Sequence, residues 1–285
     1  MKMASNCYSC ILDRAKFEAD LLFSDDALKM EAMEELLDFM VCHKREVPSM
    51  VGTERERIMK RRSGNADPYR EMKAQSNLVA SRLLPLAGHF YEESEDRLEA
   101  LIRIAAAANS MEWGVKGHDF DVDSFEEVFS DTLNETLDGD LEEARRRIDR
   151  FEKILYLTDN AGEVVFDLFV IEKLEEMEKS VIIGPKTAPI LNDVTAEELM
   201  SMTTLSVEPT GPVIGLSLDN VRPELLDLLM DESVLVIAKG MGNFETMTEF
   251  DHILAGRLIY VMRAKCEPVS SRLGVDRGCL VVRAV

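Results

Sequence analysis

From Ile154 onward, short β-branched runs alternate with helical ones, and few folds accept that rhythm. Strands are expected at 154–157, 181–183, 205–207, 234–238, 258–262 and 279–282, with helical patterns between most of them. Such alternation predicts an α/β fold, a Rossmann-like, mostly parallel sheet with helices on both faces. In open sheets of this kind ligands bind beyond the carboxyl ends of the strands. Residues just after each strand are therefore the first place to look for chemistry.

The first half has a different period. Apolar residues recur at helical spacing over 10–23, 25–40, 70–84, 93–109, 125–133 and 141–154, and period-two alternation is nearly absent. Asp25 and Asp26 open the second of these stretches, as suits a helix N-terminus. Residues 113–119 read as a loop. The expected organisation is an irregular helical domain over 1–145 and an α/β domain over 146–285, with the change of character near Asp138-Gly139-Asp140.

Charge and hydropathy remove several classes of function. A net charge of −21 argues against nucleic acid as a partner, because phosphate backbones need clustered Lys and Arg. There is no run of eighteen apolar residues, so no transmembrane helix is expected. Residues 1–30 lack an apolar signal-type core. A cytoplasmic protein without membrane partners is the expectation. Five cysteines in 285 residues do not make a disulfide framework.

Each of the first five strands of the second half is followed by a polar cluster. After the first come Asp159 and Asn160. After the second come Gly184-Pro185-Lys186 and then Asn192-Asp193-Val194-Thr195. Glu208-Pro209-Thr210-Gly211-Pro212 follows the third. Lys239-Gly240-Met241-Gly242-Asn243-Phe244-Glu245 follows the fourth, and Arg263-Ala264-Lys265-Cys266 the fifth. On a parallel sheet these clusters share one edge. Asp159, Asn160 and Asp193 offer hard oxygens suited to a divalent metal, which polarises a phosphoryl oxygen and acidifies water. Lys239 would neutralise phosphate charge. The Gly240-x-Gly242 turn would offer backbone N–H groups at a helix start, a favourable anion position.

Each cluster alone also reads as ordinary structure. An Asp-Asn pair after a strand serves as a turn or an N-cap. Asn192-Asp193-Val194-Thr195, with Glu197 and Glu198 behind it, reads equally as a helix cap. Their coincidence at one end of successive strands is what favours a site. The turn after the first strand lacks the glycines of a dinucleotide fold, and no Walker A sequence occurs. A haloacid-dehalogenase-type nucleophile needs a second Asp two positions on, where this chain has Ala161. Asp159 is thus better suited to be a ligand than a nucleophile.

With these pieces in order, the chain resembles the metal-dependent damage-control phosphatases, a family once described only as a domain of unknown function that includes protein-glutamate carboxyl methyltransferase-like proteins. The matching pieces are Cys7-Tyr8-Ser9-Cys10, Asp67-Pro68-Tyr69 followed by Lys73 and Asn77, Asp159-Asn160-Ala161-Gly162-Glu163, Asn192-Asp193-Val194-Thr195, the segment from Lys239 to Glu245, and Lys265-Cys266. The resemblance implies a helical part on a Rossmann-like domain, and a divalent metal, Mn²⁺, Co²⁺, Ni²⁺ or Mg²⁺, on Asp159, Asn160 and Asp193. It implies a substrate that is a small phosphorylated metabolite, such as a sugar phosphate or a damaged phosphometabolite, with Lys239 on its phosphate. Asp193 or Glu163 would assist in deprotonating the attacking water. Asn192, Gly240, Gly242 and Asn243 would lie against substrate, and the helical half would cap the crevice through Asp67, Tyr69 and Lys73. The pattern departs at Pro212 and at Ala108-Asn109-Ser110-Met111-Glu112, where the family's leading glycine is replaced by alanine.

Two other functions compete: an S-adenosylmethionine-dependent carboxyl methyltransferase, and a non-catalytic binding protein for a phosphometabolite. Cys7-x-x-Cys10 has metal or redox spacing, and Cys42-His43 would complete a Cys₃His set if its helix packs alongside. Two buried small hydrophobes are the other reading of that pair. His43, His89, His118 and His252 do not cluster at ligand spacing, and the sixteen methionines read as packing.

Overall fold

The computed structural model describes residues 1–110 and 122–285. The expected loop at 113–119, with His118, and the pair Met111-Glu112 lie outside the described residues. Six helices come first: α1 (Ser5–Leu22), α2 (Asp26–Cys42), α3 (Pro48–Ser63), α4 (Arg70–Glu93), α5 (Arg97–Ser110) and α6 (Val122–Leu133). Then follow β1 (Leu137–Gly139), α7 (Leu141–Arg150), β2 (Lys153–Leu157), α8 (Glu163–Glu176), β3 (Ser180–Gly184), α9 (Ala196–Met200) and β4 (Ser206–Val207). The chain continues through α10 (Pro223–Met230), β5 (Val234–Lys239), α11 (Gly240–Met247), β6 (Leu258–Arg263), α12 (Glu267–Leu273) and β7 (Leu280–Ala284).

The strands form one sheet in the order β1-β7-β6-β5-β2-β3-β4, with every pairing parallel except β6 to β7. The mostly parallel α/β sheet is therefore as the sequence implied. Its residues alternate strictly between two cores. Ile154, Tyr156, Leu235, Ile237, Ile259 and Val261 face one core, which α4, α5 and α8 also line. Leu155, Leu157, Val234, Val236, Leu258 and Tyr260 face the other, under α10, α11 and α12. Burial on both faces explains why these strands read as continuous apolar runs.

Helices α1, α2 and α3 close around a third, smaller core that includes Ile11, Leu36, Val51 and Ile58. The helical half is thus not a single bundle. Helices α4 and α5 lie directly on the sheet, with Val79, Leu83, Leu101 and Ile104 in the sheet's own core. Two elements differ from the sequence reading. Helix α3 was not expected, and neither was β1, which pairs in parallel with β7. Among the described residues no helix is long and apolar enough to cross a membrane.

The chain runs outward from β2 through β3 to β4, then returns to β5 on the other side of β2. That reversal is a topological switch point, where the strand ends leave a crevice. Leu157 of β2 is level with Ala238 of β5. The segments that leave these two strands, Asp159-Asn160 and Lys239-Gly240, therefore start side by side.

Candidate active site

Gly240 gives the most direct measure of how closely the two segments approach. Its φ is +77°, and a Cβ built on it would lie 1.9 Å from Oδ2 of Asp159. Only glycine meets both demands. Gly240→Ala is expected to displace the Asp159 carboxylate and abolish turnover, as well as to cost about 1–2 kcal/mol of backbone strain. Gly256 supplies the control, because its φ is +83° with nothing within 4 Å of a built Cβ. Gly256→Ala should lower the thermal midpoint similarly and leave the rate unchanged; equal losses of rate in both variants would contradict this account.

A hydrogen-bond network fixes the acids around this contact. Asn109, the penultimate residue of α5, is buried and donates Nδ2 to Asp159 Oδ2 at 3.0 Å and to Glu163 Oε2 at 2.9 Å. Its Oδ1 accepts from the backbone N–H of Arg263 at 3.0 Å, so the amide cannot turn. Asn160 Nδ2 donates to the same Asp159 oxygen at 2.8 Å and reaches Glu163 at 3.3 Å. The turn is stitched to the following segment, as Ala161 N–H donates to the Asn192 carbonyl and Val194 N–H to the Asp159 carbonyl. A short bridge between Asn160 and Asp193 results. Gly162 N–H, at the start of α8, donates to Asn77 Oδ1 of α4 at 2.6 Å.

Asp193 is 3% exposed, and its Oδ2 has no hydrogen-bond partner among the described residues. Lys186 Nζ lies 3.7 Å from it, and that ammonium already donates to the Gly215 carbonyl at 2.6 Å. An orphaned buried carboxylate oxygen is costly unless something positive fills the gap. Burial, helped by Asp159, pushes Asp193 well above the usual carboxylate range against the pull of Lys186. Burial and then the neighbouring Glu163 carboxylate push Asp159 up to about 7, against Lys186, Lys265 and Lys239. The acids are thus under-compensated as a group, and a hard divalent cation suits them. Asp159 and Asn160, which are partly exposed, and Asp193 beneath them could hold it. Among the described residues no group of three or more His, Cys, Asp or Glu is spaced to hold a metal; the donors proposed here are two carboxylates and an amide.

Lys239 departs from the role expected of it. The side chain is fully buried, with Nζ at 2.5 Å from Glu163 Oε1 and 2.7 Å from Asp167 Oδ1. Tyr156 donates its hydroxyl to the same Asp167 oxygen at 2.7 Å. Burial opposes the charge, but Asp167 and Glu163 outweigh it and hold Lys239 at about 12. A lysine committed to two carboxylates and closed off from solvent has no surface to offer a phosphate. It anchors Glu163 instead, and Glu163, with one oxygen on Lys239 and the other on two amides, is itself fully engaged.

The remaining expected residues divide. Asn243 Nδ2 donates to the carbonyls of Lys239 and Thr158, clamping the ends of β5 and β2. Gly242 packs on Ile214 and Gly215. Asn192 contributes its carbonyl to the Asp159 turn. Thr195 and Glu198 form a complete capping box for α9, so the cap reading of that segment holds, and it leaves the Asp193 carboxylate uncommitted to the cap. Lys73 Nζ lies 3.0 Å from Asp67 and 2.7 Å from Glu198. Tyr69, placed against substrate by the resemblance, instead donates to Glu18 within a buried Glu18–Arg55 pair, because burial among helices demands a partner for its hydroxyl. His43 stacks on Phe39 and Cys42 is exposed, so the Cys₃His set does not assemble.

Asn109 and Lys186 lie at the candidate site, although the sequence reading gave neither a role there: Lys186 stood in the cluster after the second strand and Asn109 in the family piece that departs from the pattern. A buried amide ending the Ala-rich stretch 105–108 was the available signal for Asn109. For Lys186 it was position, just beyond β3 at the same sheet edge.

Comparison with known proteins places the chain in a family. Residues 3–281 match the damage-control phosphatase ARMT1-like domain. A damage-control phosphatase of Archaeoglobus fulgidus is 30% identical, with 100% of both chains covered. One from Pyrococcus horikoshii is 28% identical, covering 99% of this chain and 97% of that one. The crystal structure of a DUF89 family protein from Pyrococcus horikoshii superposes with a TM-score of 0.87 at 28% identity, covering 99% of this chain and 98% of that one. The chain belongs to the damage-control phosphatase ARMT1-like family.

Proposed function

We propose that this protein is a metal-dependent phosphomonoesterase acting on small phosphorylated metabolites, with a divalent cation on Asp159, Asn160 and Asp193. One observation carries the reading: Asp193 Oδ2 is buried without a donor among the described residues, beside an Asp159 carboxylate that burial and Glu163 disfavour as an anion. Both lie at the switch point of a sheet in a chain whose relatives are named phosphatases. When bound, Mn²⁺, Co²⁺, Ni²⁺ or Mg²⁺ would supply charge neutralisation, polarisation of a phosphoryl oxygen and acidification of water.

The chain's own groups do the rest. Asn109 holds the Asp159 and Glu163 carboxylates in one orientation. The first turns of α8 and α11 flank the crevice with their positive ends, which favours a phosphate there. Lys186 and Lys265 add positive potential, since both pull on the ionisation of Asp159. Lys239 keeps Glu163 anchored from beneath.

Phosphate release from a panel of sugar phosphates tests the proposal. Turnover is expected with Mn²⁺ or Co²⁺, loss of it with excess chelator, and recovery when the ion is restored. Folded protein that releases no phosphate with any of the four ions would refute it. S-adenosylmethionine is expected to give no heat in a calorimeter, with or without chelator; binding there would favour the methyltransferase reading.

A further inference from the structure

Three of the five cysteines converge on one cavity. Cys7 and Cys10 of α1 and Cys266 at the start of α12 line a space of about 430 Å³, together with Met241 and Lys265. This is the neighbourhood of the phosphate site: Met241 follows Gly240, and the Lys265 charge acts on Asp159. The thiols sense one another electrostatically, Cys266 being affected by both Cys7 and Cys10. Within the pair the roles differ. Cys10 is exposed and Cys7 is buried. Three residues apart on an α-helix, their Cα atoms sit roughly 5 Å from each other by helix geometry, inside the roughly 4.4–6.8 Å that a disulfide spans.

We propose that Cys10 is a thiol-exchange site for low-molecular-weight disulfides, with Cys7 as its resolving thiol. The Cys10 thiolate attacks one sulfur of the small disulfide RSSR. A Cys10–SR bond forms as the S–S bond of RSSR breaks, and RS⁻ leaves. Cys7 loses its proton and attacks Cys10 Sγ, expelling the second RS⁻. The chain loses two thiol hydrogens and two electrons, and RSSR is reduced to two RSH. Burial pushes the Cys7 thiol up, which makes it a poor first nucleophile. Proximity in the mixed disulfide offsets this through effective concentration. Cys42, exposed on α2, lies apart from the cavity and is an internal control.

The test treats the reduced full chain with bis(2-hydroxyethyl) disulfide, quenches by alkylation and maps peptides by mass. Wild type is expected to yield a Cys7–Cys10 disulfide, while Cys42 retains the hydroxyethylthio adduct. Cys7→Ser should stop at the adduct on Cys10, and Cys10→Ser should leave Cys7 reduced. Equal, stable adducts on Cys10 and Cys42 of wild type, with no Cys7–Cys10 bond, would overturn the exchange site.

Discussion

Asp159→Asn is expected to abolish metal-dependent phosphate release, by about a thousandfold or more, while making the metal-free chain more stable. The two effects share one cause. Asp159 sits between Glu163 and Asp193, and burial with the Glu163 charge pushes it up to about 7. The folded chain therefore disfavours the anion that ion binding requires. An amide has nearly the same shape, and its oxygen still accepts from Asn109 and Asn160, so the network stays satisfied. Removing one negative charge from the group relieves repulsion by about 1–2 kcal/mol, roughly 2–4 °C in thermal midpoint. In chelator the variant should melt above wild type. With Mn²⁺ wild type should rise and the variant should not, because stabilisation by a ligand needs binding to the folded state. A variant that melts lower than wild type in chelator would show that the carboxylate is structural, and the placement of the ion would have to be reconsidered.

How much of this was legible in the sequence depends on which side of each element carried the information. Strands β2, β3, β5, β6 and β7 stood out because both of their faces are buried, and six of the seven strands were expected within one or two residues. Strand β1 did not, since three residues have no periodicity to read. Helix α3 was invisible for a different reason. Its buried positions mix Val51, Ile58 and Met59 with Ser49, Thr53, Arg55 and Glu56, so polar residues interrupt the apolar period. Long-range partners meet them: Arg55 pairs with Glu18, Glu56 accepts from the Leu191 N–H besides pairing with Lys60 one turn along, and Thr53 accepts from the Ile214 N–H. A hydropathy pattern cannot anticipate partners so distant in the chain. The candidate metal-type residues could be singled out because the topology places strand ends together. Asn109, noted only within the departed family piece, was given no role because it comes from α5, which no strand-end argument covers.

The role of Lys239 was readable in principle from parity along β5. Lys239 shares its face with Leu235 and Ile237, which point into the core beneath α8. Glu163 and Asp167 are four residues apart on α8 and so project from one side of it. A lysine on that face of β5 meets those two acids and is spent on them. The position after the strand suggested phosphate; the side on which the chain leaves the sheet decides otherwise.

Lys239→Met is accordingly expected to act on stability first. The substitution leaves Glu163 and Asp167, both fully buried, without their cation. Breaking a buried pair in this way costs about 3–5 kcal/mol, roughly 10 °C in thermal midpoint, because an uncompensated charge remains inside. A phosphate ligand would behave oppositely, leaving the midpoint nearly unchanged and raising KM. Where the single variant does not accumulate as folded protein, the double variant Lys239→Met with Asp167→Asn settles the question. Removing one of the two stranded carboxylates should recover part of the stability, a coupling that contacting residues show and distant ones do not. Tyr156 can keep its hydrogen bond to the new amide oxygen, so the recovery is not masked by a lost donor. Additive losses in the double variant would mean that Lys239 is not held by these acids in solution, and the phosphate role would return to it.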